Sequence, residues 1–525
     1  GDRLSAIRLR MLVPTDTVRM LDARKALIAF LENPRSGQNA RDGIALFDKV
    51  YKVPSPAENL TIARAAYIGG SATRVASSYA KAFASRLGTA RDHFNDGLML
   101  ARLDRDKEAM VEFGRVTQPA SFAAAARYQS ARAMIALGQR EPARSALRAI
   151  TTAYPQDTSA ASALLLLADL ATDDNRDADA RSAFLSAASR FPRSRHAPLA
   201  LFRAGLIAYI AGDYRMAANE LDSVVSQYPR ADDALASAYW SGRSWKARGD
   251  TAAANKRWRD LLAREGSSYY SVQSAKRLGV PVLADKNLED HYPEVPDVDA
   301  ATKRIAILKT FGMDTEAGFE NDRLYRDAQT DPKRLVATAH ALAGTDQSSR
   351  SIALGRRAVA EEGRSAQNYR LVYPVLERET LIESSKANGL DPVLVASLIW
   401  QESSFNPRAT SPVGARGLMQ VMPSVGKTLA KSKGIDGYTD ESLYDPAVNI
   451  KLGTVHLSGL FKRTSNIERV LAAYNAGESR VQRWIAKKGS ADPEVFTERI
   501  PFVETRDYVR SIVRNQAFYS TLYQW

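Results

Sequence analysis

From about residue 100 to residue 280 the apolar positions recur with helical period and break at regular intervals. Tyr154-Pro155, Phe191-Pro192 and Tyr228-Pro229 each close a segment, and the three prolines fall 37 residues apart. Gly138, Asn175, Gly212 and Gly249 keep the same step, and both residue types tolerate the left-handed conformation in which helices end. Each therefore predicts a turn between two antiparallel helices. Five residues past each turn stands a small residue (Ala143, Ala180, Ala217, Ala254), and nine past it a large one (Leu147, Phe184, Leu221, Trp258). The alanine lets a partner helix approach and the larger side chain fills the space beside it, leaving a stripe that neighbouring hairpins must bury. Asp104, Ala109 and Phe113 hold the same relative positions one repeat earlier, with a step of 34 residues to Gly138. Residues 1 to about 100 are rich in alanine, arginine and leucine without β-branched alternation, which predicts helices whose ends the pattern does not fix.

The array resembles tetratricopeptide-like repeats, slightly long for that class. Helical periodicity stops in the stretch Asp290 to Asp297, where two prolines stand among acidic residues, and this reads as a linker. Short helical patterns return to about residue 365, interrupted by Gly312, Gly318 and Gly344. The organisation expected is a helical repeat domain over 1–290, a linker and small helical connecting domain over 291–365, and a third domain over 366–525.

A chain of 525 residues exceeds what one hydrophobic core supports. With 45% apolar and 25% charged residues it has the composition of a globular protein. The longest apolar run, around Ala163 to Leu167, is far short of a membrane-spanning helix, so no transmembrane segment is expected. Gly1 opens a charged stretch with no apolar signal-peptide core, consistent with an N-terminus already processed or shortened. Cysteine is absent, which removes disulfides and thiolate chemistry. The five histidines are scattered without metal-ligand spacing, so neither a metal nor a cofactor is expected. The net charge of +14 favours a polyanionic partner. No helix-turn-helix, RNP or zinc-finger pattern accompanies it, which argues against nucleic acid.

The chemistry lies beyond residue 365. Asp391-Pro392 is a helix start, an N-cap carboxylate before a proline at the first helical position, and Asn406-Pro407 ends the element. Val395, Leu398, Ile399 and Glu402 fall at i, i+3, i+4 and i+7, which puts a carboxylate on the apolar face. Apolar surroundings resist ionisation, moving a glutamate from about 4.3 toward about 6 and leaving it able to donate a proton near neutrality. The alternative is a glutamate at a helix end that reaches solvent or Arg408.

Four segments decide between these readings: QESSFNP from Gln401, SPVGARGLMQVMP from Ser411, AAYNAG from Ala472 and RIPFVETRDYV from Arg499. In this order they resemble the catalytic domain of soluble lytic transglycosylases, with Glu478-Ser479 departing from the proline and glycine some members carry. The resemblance implies a mainly α protein, a tetratricopeptide-like helical superhelix followed by a lysozyme-like, mostly helical catalytic domain. It implies non-hydrolytic cleavage between N-acetylmuramic acid and N-acetylglucosamine of peptidoglycan to 1,6-anhydromuropeptides, without cofactor or metal. A goose-type lysozyme-like hydrolase is the alternative, with Asp436, Asp440 or Asp445 the candidates to activate water. The implied setting is the periplasm or cell envelope, with glycan strands as substrate and other cell-wall proteins as possible partners of the repeats.

Carried across by motif, Glu402 is the catalytic acid and base and Ser403 completes the Glu-Ser signature. Ser411, Gln420, Met422, Tyr474, Asn475 and Glu504 match substrate-site positions. Chemically, Gln420 and Asn475 offer amides to sugar hydroxyl or acetamido groups, Met422 a sugar-packing face and Tyr474 a donor toward Glu402. Met422 as core filler and Asn475 as a capping residue are the bland alternatives. Gly414 and Gly417 are expected to permit a tight loop.

Overall fold

The 37-residue period is a train of helical hairpins. Arg140–Ala153 and Thr158–Asp173, Asp177–Arg190 and Ala197–Ile210, Tyr214–Gln227 and Asp233–Ala247, Thr251–Arg264 and Tyr269–Leu278 follow one another as helices. In this computed structural model, which describes residues 2–11, 14–284 and 291–525, each expected turn residue has a positive φ: Gly138 76°, Asn175 57°, Gly212 86° and Gly249 89°. Asp104, the turn residue of the earlier repeat, has φ 57°. The small residues Ala109, Ala143, Ala180, Ala217 and Ala254 are all fully buried, and the large ones four positions later nearly so.

A second regularity in the repeats escaped the pattern analysis. Sixteen residues before each large residue stands a small one: Gly97, Ala131, Ala168, Gly205 and Gly242 precede Phe113, Leu147, Phe184, Leu221 and Trp258. A Cβ added at Gly97 would lie 2.6 Å from the Phe113 ring, and one at Gly205 would lie 2.8 Å from Leu221. At Gly242 it would collide with the Trp258 indole, whose Nε1 donates to the Tyr239 carbonyl at 3.2 Å. At Gly97, Gly205 and Gly242 the hairpin is therefore closed by one large side chain seated on a bare patch of backbone.

The chain divides into two compact units, Gly1–Ala204 and Gly205–Trp525. In the first, helices run from Asp2–Arg10 through Thr17–Glu32, Gly37–Val50, Pro56–Gly69, Ala72–Ala84 and Ala90–Arg102 into the repeats. The second unit holds the last repeats, a group of four helices and the C-terminal region. The Asp290 end of the expected linker, and with it the boundary between residues 290 and 291, falls at the edge of residues outside those described. From His291 the backbone is non-helical until Pro296 opens the helix Pro296–Thr310 at its first position. With Asp314–Asp327, Pro332–Leu342 and Ser348–Glu361 it forms a small core around Val298, Ile305, Leu324, Leu335 and Leu354. No strand forms among the described residues; only isolated bridges occur, Thr410 with Arg416 and Arg416 with Val421.

Within this second unit the last repeat helices pack directly on the C-terminal region. Arg243 pairs with Asp492 at 2.6 Å and Glu494 at 3.0 Å, and Arg277 reaches Glu494 at 2.8 Å. Tyr239 donates to Glu494, and Tyr270 donates to Glu498 at 2.7 Å. Glu498 is 1% exposed and is also held by Arg510 at 2.5 Å. Buried charges persist only when paired and hydrogen-bonded, and every member of this cluster has such a partner.

Candidate active site

The helix Pro392–Ser403 begins as its sequence dictates, with Asp391 accepting from the Val393 amide at 2.9 Å and Pro392 in the first turn. Leu394 through Trp400 are all buried, so this is a core helix hydrophobic on nearly every side. It stops abruptly. Ser404 and Phe405 both have positive φ, 54° and 58°, a rare conformation for a residue as bulky as phenylalanine. Full burial of the Phe405 ring holds that backbone in place and turns the chain away one residue past Glu402 and Ser403.

Glu402 is thus presented at the end of an apolar helix. Burial pushes its carboxyl up to about 7, opposed by the Tyr508 hydroxyl, which donates to Oε1 at 2.6 Å. Arg408 is not its partner: that guanidinium lies over the Tyr444 ring, 5.7 Å from the centroid. A carboxyl protonated near neutral pH, with one oxygen fixed by a phenol, has the chemistry a general acid requires, with Oε2 as the oxygen not bonded to Tyr508.

Tyr474 does not donate to Glu402 as expected from sequence. Its hydroxyl donates instead to the Met419 carbonyl at 2.8 Å, and Tyr508 makes the bond to the glutamate. Tyr474 is still close enough for the Glu402 charge, together with burial, to raise its own phenol well above the ordinary value. The Tyr508 signal lay in plain sight. Thr505, Tyr508, Val509 and Ile512 form one buried stripe of the helix Val503–Leu522, and a tyrosine buried on such a stripe needs a partner for its hydroxyl.

Ser403 is buried and its hydroxyl is spent on the carbonyls of Ile399 (3.1 Å) and Leu418 (2.8 Å). It ties the glutamate helix to the loop 409–422. In that loop Ser411 Oγ accepts from the Ala415 amide at 3.0 Å and closes a tight turn. Gln420, at φ 47°, gives its amide to the carbonyls of Gly417 (2.8 Å) and Ala409 (3.1 Å).

Met422 is 38% exposed, so it is not core filler. Asn475 is exposed on the helix Ile467–Ala476, with Oδ1 accepting from Thr505 at 2.7 Å. Glu504 stands exposed in the first turn of Val503–Leu522.

One residue that builds the loop gave no sequence signal. Fully buried Asn449 accepts from the Met419 amide at 2.7 Å and donates to the carbonyls of Leu443 (2.8 Å) and Arg416 (2.9 Å). Gly417, at φ 74°, lies so close to Asn449 and the Leu443 carbonyl that a Cβ could not be added. Among the described residues no group of three or more His, Asp or Glu side chains is arranged to hold a metal. None of the described helices is long and apolar enough to cross a membrane.

Residues 379–497 match the family described as "Transglycosylase SLT domain", and residues 125–157 match a tetratricopeptide repeat. The soluble lytic murein transglycosylase of Escherichia coli K12 is 28% identical over 291 residues, 54% of this chain and 43% of the relative. A putative soluble lytic murein transglycosylase of Haemophilus influenzae is 41% identical over 124 residues, 23% of this chain and 21% of its own. The chain thus spans less than half the length of these relatives. An inactive mutant of the lytic transglycosylase Slt from Pseudomonas aeruginosa superposes with a TM-score of 0.66 at 20% identity, covering 96% of this chain and 79% of that one. The 70-kDa soluble lytic transglycosylase in complex with bulgecin A gives 0.65 at 20% identity, with the same coverage. The fold is mainly α, tetratricopeptide-like repeats followed by a lysozyme-like helical domain, and in sequence the chain resembles the soluble lytic transglycosylases through the SLT domain it carries at residues 379–497.

Proposed function

We propose that this protein cleaves the glycan strands of peptidoglycan as a lytic transglycosylase, at the bond between N-acetylmuramic acid and N-acetylglucosamine, releasing 1,6-anhydromuropeptides. The observation that carries the reading is the Glu402 carboxyl, held by burial at about 7 and bonded to Tyr508. Ordinary glycosidases set a second carboxylate within about 5–9.5 Å to act as nucleophile or base. No acidic neighbour contributes to the Glu402 shift, whose causes are burial and Tyr508 alone. Of the loop aspartates, Asp445 caps the helix Pro446–Phe461 by accepting from Val448, and Asp436 and Asp440 are exposed.

In this reading Glu402 alone serves both halves of the reaction. Glu402 gives its proton from Oε2 to the glycosidic oxygen, and the bond from that oxygen to C1 of the muramic acid breaks. The substrate's own acetamido group stabilises the positive charge at C1, while the Tyr508 bond stabilises the glutamate left behind. The carboxylate next removes the proton from the C6 hydroxyl of the same sugar, whose oxygen closes on C1. Protons balance and no water is consumed. The exposed Asn475 and Met422, with the amide of Gln420, are suited to hold the flanking sugar, and Glu504 lies on the same helix as Tyr508. The protein acts in the periplasm or cell envelope, and its repeats position strands or partner proteins.

Digestion of purified peptidoglycan with mass analysis tests this. The products should be lighter by one water than their hydrolysed counterparts and unchanged by borohydride, because the intramolecular hydroxyl has a large effective concentration over water. Glu402→Gln should lower the rate at least about 10²-fold while the helical circular dichroism persists. Muropeptides with reducible ends would instead assign a lysozyme-type hydrolase, and a wild-type rate in Glu402→Gln would remove the glutamate from the mechanism.

A further inference from the structure

The first compact unit contains a carboxyl that the reaction does not use and the fold does not satisfy. Asp96, on the helix Ala90–Arg102, is 4% exposed and its Oδ1 has no hydrogen-bond partner. It lines a cavity of about 360 Å³ between that helix, Ala72–Ala84 and Asp106–Gly114. An unpaired buried polar group costs roughly 1–3 kcal/mol, so a fold that retains one keeps it against a penalty.

The lining is divided by chemistry. From Ala72–Ala84 it is apolar, Phe83 among small alanines, continued by Leu100 and Val111. The charged groups that face Asp96 are Glu112, Glu108 and Arg105, with Arg115 at the rim. The rim charges are already paired: Arg105 clasps Glu108 at 2.7 and 2.8 Å, and Glu112 is held by His93 at 2.6 Å and by Arg115 at 3.4 Å. Asp96 is the acid left without a cation. Burial, with Glu112 next in weight, pushes it up to about 7. The cavity is an apolar sleeve with an unsatisfied acid in its wall and a rim whose two acids, Glu108 and Glu112, are matched by Arg105 and Arg115.

We propose that this cavity binds an aliphatic primary ammonium group, its chain along Phe83, Leu100 and Val111 and its head on Asp96. A compact ammonium with three donors fits one unpaired carboxyl better than the planar fork of a guanidinium does. The site is independent of the reaction proposed for Glu402, and Asp96→Asn should leave glycan cleavage at the wild-type rate.

Calorimetric titration of the full chain with n-butylammonium and with Nα-acetyl-lysine methylamide tests the assignment, with 1-butanol as the neutral control. Binding should be about tenfold tighter at pH 8 than at pH 6 and should release about half a proton at pH 7, because Asp96 ionises as the ammonium docks while the ligand stays charged throughout. Asp96→Asn should weaken binding at least about tenfold and abolish the proton release. Binding of both amines assigns a site that reads the ammonium alone, and binding of the lysine derivative alone assigns one that takes a residue's side chain. No binding at pH 8, equal binding of 1-butanol, or undiminished binding to Asp96→Asn would overturn the proposal.

Discussion

Tyr508 is the residue on which the chemistry of Glu402 turns, because its hydroxyl works against the burial that keeps the carboxyl protonated. Removing it should raise the Glu402 pKa further. A general acid acts while protonated, so activity should fall as pH rises through about 7 in the wild type. In Tyr508→Phe that alkaline limb should move upward by about one to two pH units, the equivalent of a hydrogen bond to a charged group. The pH dependence of kcat/KM on a soluble muropeptide oligomer measures the shift; a limb that stays in place or moves down would mean that Tyr508 does not set the proton affinity. The glutamate itself was legible in sequence because seven residues of helical spacing put a carboxylate on an apolar face. Its partner was misassigned to Tyr474 because spacing locates a side chain on a helix but says nothing of which hydroxyl, thirty-odd residues apart, reaches the oxygen first.

At the scale of elements, the loop 409–422 stands on two different glycines. Gly414 has φ 88° with open space around the missing Cβ, whereas Gly417, at φ 74°, is also pressed against the Leu443 carbonyl and Asn449. Gly414→Ala should therefore cost only the left-handed strain, about 1–2 kcal/mol, as measured by denaturant unfolding. Gly417→Ala must in addition displace Asn449, which holds two backbone groups of the loop and the Leu443 carbonyl, and should cost about 3 kcal/mol or more. It should also lower activity by moving Gln420, whereas equal losses for the two alanines would contradict this account. The repeats were legible for the opposite reason. Their turns and small-large pairs depend on neighbours close in sequence, and the period repeats the message, whereas Asn449 meets its loop across 30 residues with no local pattern to announce it.

Across the whole molecule, the division of labour follows packing more than motif. Every motif of the candidate site lies beyond residue 365, yet Asp492, Glu494 and Glu498 of that region take partners from Tyr239, Arg243, Tyr270 and Arg277 in the last repeats. The motifs mark where the chemistry is; the buried charges mark how much chain must fold with it. A fragment of residues 366–525 loses four of the side chains that satisfy these acids, the Tyr270 hydroxyl on buried Glu498 among them. Breaking a buried ionic cluster by removing partners costs about 3–5 kcal/mol, which in a domain of this size lowers Tm by about 10 °C or more. A longer fragment starting at Ala197 keeps the helix Ala197–Ile210 whole and retains the cluster. It should melt within a few degrees of the full chain's corresponding transition and cleave peptidoglycan, while 366–525 should melt well below it or precipitate. Equal melting temperatures for the two fragments would show that the repeats add nothing to the stability of the site, and their role would then be confined to what they bind.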